Sequence, residues 1–320
     1  MVCETRQITM SSTTTGLSDL MSTYYDKKFL ERAQETMVYD IGATVKKLAL
    51  NAGKTIKWNR MSPLAKATTP LTEATNPSAV DMTTTAVTAA VAEYGNWTKV
   101  GTMFALTSID VDLKEHVSVH GQNAGETIDE LIANELDGGG TDQFAGGNTA
   151  ITDMIATDTL DGSEIRKAVR TLFLNKALKF ENNHYRAIIP ASCVYDLRGD
   201  SEWLDAYRYT EAEQIRNGLV GRLHGVEFFE TNNEVVAADA GSGNVDIYTT
   251  FVFGKHAYGT VDLDGQMGPR IYVKTPTEGS TDNPLDLYST VGWKAHFAVK
   301  VLNSSWLIEL QAASSVGDNA

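Results

Sequence analysis

The chain has 320 residues, of which 42% are apolar and 21% are charged, a composition typical of a globular protein with one large domain or a few smaller ones. Its formal net charge is −14 and its isoelectric point is about 4.9, and the basic residues do not cluster into a stripe. Because an acidic surface repels phosphate backbones, this composition excludes a dedicated nucleic-acid-binding protein.

The first residues do not resemble a secretory signal. The segment MVCETRQITMSSTTTGLSD lacks the apolar core of a signal peptide, and the longest run of small apolar residues, at 86–92, is far too short to span a membrane. Cys3 lies in a polar tail, so no disulfide with Cys193 is expected. These features predict a soluble protein that is made in a cytoplasm and has no membrane partner.

The chain begins with a predicted arm. Residues 1–20 are rich in Ser and Thr, which favours a flexible segment over a packed domain. The apolar spacing that follows predicts a short helix at about Phe29–Met37 and then an extended piece.

A very long hairpin is predicted at about residues 53–103. Ile56 and Trp58 alternate with polar residues in one strand, and a Thr- and Val-rich strand returns after residue 78. Between them, SPLAKATTPLTEATNPS (62–78) holds three of the chain's seven prolines. Each proline lacks an N–H group, so this tip cannot be a central strand.

The reach of this hairpin exceeds the body that carries it. The segment from Lys54 to Pro70 extends up to roughly 55 Å, whereas a compact chain of this length has a radius of gyration of about 20 Å. Because no aromatic residue from 59 to 93 can anchor it, two interpretations follow. It is either a surface loop on its own body or an arm that lies on a neighbouring subunit.

A long helix is predicted next. Ser108 can cap it, apolar residues recur along one face, and the three glycines at 138–140 end it. The helix is about 28 residues and roughly 40 Å long, with kinks expected at Gly121 and Gly125. Such a length, well above the average, indicates a strut across the subunit.

The remaining sequence mixes helices and strands without a βαβ repeat, which predicts an α+β fold. Residues 161–178 are predicted to be helical, 185–190 and 246–254 to be strands, and 218–233 to be a loop followed by a strand. Three or four further strands are predicted after residue 257. The helix predicted at 161–178 has an apolar face that consists of Ile165, Val169, Leu172 and Phe173.

The candidate catalytic motifs are weak. His116 and His120 have the i, i+4 spacing of a zinc site, but HVSVH lacks the Glu of the metalloprotease motif and a third ligand. The run at Gly241 is predicted to be a hairpin turn, DLDGQMG at Asp262 a turn, and RGD at Arg198 a chance match. The scattered histidines form no catalytic constellation, so we predict no enzyme activity, metal or cofactor.

In their order, these elements resemble those of a tailed-bacteriophage major capsid protein. The sequence resembles in particular the family typified by the N-four coliphage group, in KTIKWNRMSPLAKATTPLTEATNPS (54–78), TSIDVDLKEHV (107–117), AIIPASCVYDLR (187–198), LVGRLHGVEFFET (219–231) and DNPLDLYSTVGWKAHFAVKVLNSSWLIEL (282–310). These stretches are spread over nearly the whole chain.

The resemblance implies an α+β fold of the Hong Kong 97-like capsid type and a division of the chain. The implied segments are an N-terminal arm (1–48), an extended-loop hairpin (49–103), a peripheral domain with the spine helix (104–150), an axial domain (151–255), and return strands of the peripheral domain with a C-terminal tail (256–320).

The resemblance also implies a function. Copies of the chain would form hexamers and pentamers of an icosahedral head that encloses double-stranded DNA without sequence-specific binding. The protein would belong to the virion and assemble in the host bacterial cytoplasm. A portal, a separate scaffold and decoration proteins are the further partners that the resemblance implies.

The tip of the hairpin is then expected to lie over an adjacent subunit, and the N-terminal arm to reach another. Some shells of this fold cross-link a loop lysine to an asparagine of a neighbour, but no motif here supplies the partners of Lys66, so we predict no cross-link. The expected contact residues are Pro63, Leu64, Lys66, Pro70, Leu71, Glu73 and Pro77.

Three alternatives remain open at this stage. An encapsulin-like compartment would share the fold but hold no DNA. A metal-dependent hydrolase would use His116 and His120. An extracellular adhesin would use the RGD motif at Arg198, although the missing signal peptide counts against it.

Overall fold

The structure is a computed structural model that describes residues 27, 29–33, 37–49, 53–71, 73, 76–107, 113–208, 219–263, 269–274 and 284–316. Its contacts divide the chain into two compact units. Unit 1 takes its residues from 1–37, 94–127 and 268–295, and unit 2 takes them from 38–93, 128–267 and 296–320. The predicted flexible arm at residues 1–20 lies outside the described residues.

Helices and strands alternate irregularly along the chain. The α-helices are α1 Thr102–Thr107, α2 Leu113–Leu136, α3 Gly162–Leu174, α4 Ala191–Gly199 and α5 Ser201–Arg208, and residues 29–33 are also helical. The strands are β1 Thr44–Leu48, β2 Thr55–Met61, β3 Thr84–Ala90, β4 Ala92–Gly101, β5 Thr141–Phe144, β6 Tyr185–Pro190, β7 Leu219–Leu223, β8 Val226–Thr231, β9 Val236–Ala237, β10 Ile247–Phe253, β11 Tyr258–Leu263, β12 Arg270–Lys274, β13 Tyr288–Val301 and β14 Leu307–Ala313.

The core of unit 2 is a mixed sheet in the order β5-β14-β10-β6-β8-β7, with β9 also paired to β10. β10 runs antiparallel to both β14 and β6, and all of its residues are buried. A central strand covered on both faces has no solvent side, which explains its largely apolar sequence. β6 and β8 run parallel to each other, so β14, β6 and β8 all point the same way.

Helix α3 covers this core with most of the face that the sequence predicts. Ile165 and Leu172 are buried and Val169 is half-buried, but Phe173 is 70% exposed. The predicted place of Phe173 on the apolar face is therefore wrong. The buried stripe continues through Ala168 instead, because positions three and four residues apart share one side of a helix.

The segment predicted as a loop followed by a strand is a hairpin of two strands. β7 and β8 pair antiparallel on either side of His224 and Gly225, which have φ angles of +50° and +82°. Two successive positive φ angles are typical of the tight turns that join hairpin strands, where glycine is favoured at the second position. The His-Gly pair was the sequence signal for this turn.

The predicted long helix is α2, which has 24 residues; the proposed cap, Ser108, lies outside the described residues. Gly138 follows the helix with a φ of +74°, as a glycine stop requires. The buried carboxylate of Glu309 accepts hydrogen bonds from the N–H groups of Gly138 (2.9 Å) and Gly140. The end of the helix is thus fixed by a side chain from β14.

In unit 1, helix α2 contacts the helical turn at 29–33 and strand β13. A Cβ atom at Gly121 would lie 2.7 Å from the carbonyl oxygen of Phe29, so this glycine allows a backbone contact. The indole N–H of Trp293 donates to Asn123 Oδ1 at 2.9 Å. β12 pairs antiparallel with β13 from Arg270↔Lys294 to Lys274↔Thr290.

The extended piece predicted after the first helix is β1, which belongs to unit 2 and pairs parallel with β11. The turn before it is held by Asp129, which accepts hydrogen bonds from the N–H groups of Val38 (2.8 Å) and Tyr39 (2.7 Å). The hydroxyl of Tyr258 donates to the Tyr39 carbonyl at 2.5 Å. These bonds fix the chain at the point where the described residues enter unit 2.

The mixture of helices and strands confirms the predicted α+β class. The described residues after 257 form four strands, in agreement with the sequence. The last of them, β14, pairs with β10 and β5. The segment boundaries predicted at residues 48, 103, 150 and 255 stay a prediction. Within the described residues, no helix is long and apolar enough to cross a membrane.

Candidate assembly surface

The hairpin predicted from the sequence is present, but its paired part is shorter than expected. β2 and β3 pair antiparallel from Thr55↔Ala90 to Met61↔Thr84. Two flanking bonds extend this ladder, from Val91 N–H to the Lys54 carbonyl (2.8 Å) and from Ser62 N–H to the Thr83 carbonyl (2.9 Å). β4 leaves the hairpin after Val91 and pairs with β13, so the pairing does not continue to residue 103.

The base of the hairpin is anchored in unit 2. Ile56 and Ala89, opposite each other in the ladder, are 4% and 6% exposed. They pack in a small apolar cluster with Leu48, Val261 and Ala298. Burial of this cross-strand pair fixes the face that the hairpin turns toward the body, because a shift by one residue would expose both side chains.

Trp58 forms the outer wall of this anchor. It is half-buried, and a Cβ atom at Gly259 would lie 3.4 Å from its indole ring. The ammonium group of Lys46 donates to the Lys57 carbonyl at 2.5 Å and lies 5.9 Å from the centre of the indole ring. Trp58, two residues beyond Ile56 along β2, is the last hairpin residue that makes these contacts with the rest of unit 2.

Beyond Trp58 the hairpin is exposed. Among the described residues from 59 to 86, only Ser62 is even partly buried. Exposed apolar side chains recur along this part, with large exposed fractions at each. They are Met61 (67%), Leu64 (53%), Leu71 (75%), Val80 (68%) and Met82 (61%). We call residues 59–86 the distal hairpin.

All seven contact residues predicted from the sequence lie on the distal hairpin, and all are exposed. Sequence reasoning missed Met61, Val80 and Met82, which carry as much exposed apolar surface as the predicted pair of leucines. The signal was available, because an apolar residue in a segment that cannot join its own core has nothing to pack against in the same subunit.

The hairpin also differs in charge from the rest of the chain. Residues 53–91 contain four basic side chains and two acidic ones, in a chain with a net charge of −14. The basic residues are Lys54, Lys57, Arg60 and Lys66. The hairpin therefore combines exposed apolar groups with a positive charge, and the remainder of the molecule is strongly acidic.

The histidine pair and the run at Gly241 occupy ordinary structural positions, and most of DLDGQMG lies outside the described residues. His120 Nε2 lies 2.9 Å from Thr98 Oγ1, and burial, together with the nearby His116, lowers the pKa of His120. In the described part of the chain, no three His, Cys, Asp or Glu side chains are grouped so as to hold a metal ion. The run at Gly241 is a turn closed by its N–H bond to the Val245 carbonyl (2.9 Å), as predicted.

The comparisons with known proteins bear on the fold. No protein-family model and no curated protein sequence matches the chain. Solved structures do match: the capsid of Ralstonia phage GP4 has a TM-score of 0.71 and 14% identity over 88% of this chain and 90% of that one. The Cyanophage Pam1 capsid has a TM-score of 0.65 and 14% identity, with 89% and 93% covered.

A third structure agrees with these two. The capsid of Cyanophage P-SCSP1u has a TM-score of 0.63 and 16% identity over 88% of this chain and 89% of that one. Each likeness extends over nearly the full length of both chains, so it concerns the whole architecture and not one shared motif. The predicted fold is confirmed: this chain has the fold of phage capsid proteins.

Proposed function

We propose that this chain is the major capsid protein of a phage head, which assembles as hexamers and pentamers into an icosahedral shell around double-stranded DNA. The observation that carries the proposal is the distal hairpin. The two strands that carry it are paired and anchored at their base, yet it exposes five large apolar side chains. The whole-length fold likeness to phage capsid proteins supports the same conclusion.

In this proposal the distal hairpin lies on an adjacent subunit. Its apolar side chains would be covered there, and because its two basic and two acidic side chains balance, it can approach a neighbour of net charge −14 without strong repulsion. The proposed contact residues are the seven predicted from the sequence together with Met61, Val80 and Met82. The prolines at 63, 70 and 77 lower the entropy lost when such an arm is ordered.

The proposal includes the location and partners of the protein. The chain resides in the virion, after assembly in the host bacterial cytoplasm, with a portal, a separate scaffold and decoration proteins as further partners. Its role is structural and not catalytic. The acidic net charge suits a shell that encloses DNA without gripping it.

Electron microscopy and size-exclusion chromatography of the purified chain test this function. We expect shells or capsomer rings from the wild type and none from a variant that lacks residues 62–78. The variant should remain a folded monomer, because the anchor at Ile56 and Ala89 is left intact. A wild-type chain that stays monomeric at every salt concentration and also forms no particle when co-produced with its scaffold would overturn the proposal. Shells free of nucleic acid in infected cells would favour an encapsulin-like compartment.

A further inference from the structure

A second exposed apolar surface lies in unit 2, away from the hairpin. At the end of α3 the chain presents Phe173 (70% exposed), Leu174 (62%) and Leu178 (51%). We call these three residues the α3 knob. Exposed large side chains that adjoin one another mark surfaces that a partner covers.

The α3 knob is held rigidly. The side-chain amide of Asn175 donates to the Ser305 carbonyl at 2.9 Å, and the indole N–H of Trp306 donates to the Asn175 carbonyl at 3.1 Å. The N–H of Lys255 donates to the Leu178 carbonyl at 2.7 Å. These bonds fix the backbone on both sides of the knob, so binding would cost little conformational entropy.

Basic residues surround the knob. From 170 to 180 the chain has three basic residues, Arg170, Lys176 and Lys179, and no Asp or Glu. Arg170 and Lys176 are exposed beside Phe173 and Leu174. The partner surface should therefore be apolar at its centre and acidic at its margin.

Unit 2 itself contains a surface of this description. An open groove of about 710 Å³ lies where β6, β8 and β14 end. Its floor includes Ala191 and Val194, and Tyr195, 66% exposed, stands at its side. The carboxylates that line it are Asp196 and Glu230, and Glu230 lies 3.9 Å from the one lining cation, Arg198. We call this the α4 groove.

The knob and the groove of one copy cannot meet. The first turn of α3 lies next to the groove, since the N–H of Gly162 donates to Asp200 Oδ2 at 2.8 Å and Gly199 lines the groove. The knob is at the other end of α3, about 20 Å away along the helix. Complementary surfaces at two different places on one subunit produce a heterologous contact, which gives a ring where the rotation between successive copies closes and an open filament where it does not.

We propose that the α3 knob of one copy docks into the α4 groove of the next copy around a ring of subunits. This inference rests on the proposed function, because a ring of identical subunits is what a capsomer is. It assigns a second contact between neighbours, separate from the distal hairpin. It also gives Arg198, in a motif with no evident function in the sequence, a place at an interface.

Disulfide trapping tests the contact. In a Cys3→Ser background, the double variant Phe173→Cys/Tyr195→Cys should give a ladder of covalent oligomers when rings or shells are oxidised. Each single variant alone should stay monomeric on a non-reducing gel, and a mixture of the two singles should give covalent dimers. The two positions are too far apart in one copy for an internal disulfide, which needs Cα atoms within about 7 Å.

Controls separate the possible results. Phe173→Cys paired with Val236→Cys, which is exposed elsewhere in unit 2, should give no ladder. Dimers from Phe173→Cys alone would mean that knob meets knob, and a ladder from Leu64→Cys/Tyr195→Cys with none from Phe173→Cys/Tyr195→Cys would mean that the hairpin occupies the groove. Either result overturns the inference.

A charge exchange provides a second measurement. Lys176→Glu and Glu230→Lys should each lower the yield of rings or shells about tenfold, and the double variant should restore it. Normal assembly of every variant would contradict the inference without contradicting the proposed function. A parent chain that forms neither rings nor shells, even when co-produced with its scaffold, would contradict the proposed function itself.

Discussion

At the scale of single residues, a buried carboxylate decides how the long helix ends. Glu309 is 1% exposed and accepts hydrogen bonds from two backbone N–H groups beyond α2. Burial raises its pKa, and these two bonds oppose that shift. The residue therefore connects the central sheet to the end of the helix.

Glu309→Ala should lower the free energy of unfolding by about 2 kcal/mol, because it leaves two backbone donors without their acceptor. Glu309→Gln keeps one acceptor oxygen and should lose about half as much. Urea denaturation at neutral pH measures both. A stability of Glu309→Ala within about 0.5 kcal/mol of the wild type would show that the two N–H groups find other partners.

Asp40 is expected to make stability depend on pH. Burial, and then the negative charge of Asp129, raise the pKa of Asp40 to about 6. Between pH 4 and 6 the folded chain therefore binds more protons at this group than the unfolded chain, and its contribution to stability falls as the pH rises through this window.

Asp40→Asn removes this contribution. The variant should match the wild type near pH 4 and exceed it at pH 7 by about 1 kcal/mol, less than the full shift would give, because the residue is exposed to solvent, which screens its interactions. Urea unfolding at the two pH values measures the difference. Asp81→Asn, on the exposed distal hairpin, should change neither value, and an unchanged pH dependence in Asp40→Asn would contradict the assignment.

At the scale of elements, the apolar side chains of the hairpin are buried at its base and exposed in its distal part. At its base, Ile56 and Ala89 lie opposite each other and are buried, as is typical of strands that pack on a core. In its distal part, the apolar side chains are exposed to solvent, as is typical of a surface that a partner covers. Stability and assembly should therefore respond to substitutions in different parts of the same hairpin.

Ile56→Ala should cost about 2 kcal/mol of stability, because it opens a cavity in the small cluster at the base. Leu64→Ser and Leu71→Ser should change stability by less than about 0.5 kcal/mol, since both side chains are exposed, yet they should lower the yield of shells.

Chemical denaturation and electron microscopy of the same samples distinguish these effects. Val236→Ser serves as the matched control, an exposed apolar residue outside the hairpin that should affect neither property. Normal shell yield from Leu64→Ser/Leu71→Ser would argue against the hairpin as a contact between subunits.

At the scale of the whole molecule, charge sets the relation to DNA. With a net charge of −14, free subunits should not shift double-stranded DNA in a mobility assay at physiological salt. The distal hairpin has two basic and two acidic side chains, so the variant that lacks residues 62–78 is the matched comparison, and both proteins should behave alike. Retention of DNA by the wild type alone would show that the distal hairpin binds DNA.

Several features of this protein were determined by the sequence itself, because their causes are local. Proline removes a backbone donor wherever it stands, so the tip at 62–78 was recognisable as a segment outside any core. Three glycines end α2 because their backbone adopts conformations that other residues avoid. The largely apolar run of β10 is typical of a strand that is covered on both faces. The α+β class followed from the mixture of such elements, and the capsid fold that the resemblance implied was confirmed.

Only the tertiary structure decided which elements meet. The Thr- and Val-rich run divides at Val91, so that β3 stays in the hairpin and β4 pairs with β13, and β14 joins β10 and not a neighbour in sequence. Phe173 fits the helical period of α3 but faces solvent. Strand pairing and burial depend on surfaces that come from distant parts of the chain, and periodicity within one segment does not contain them.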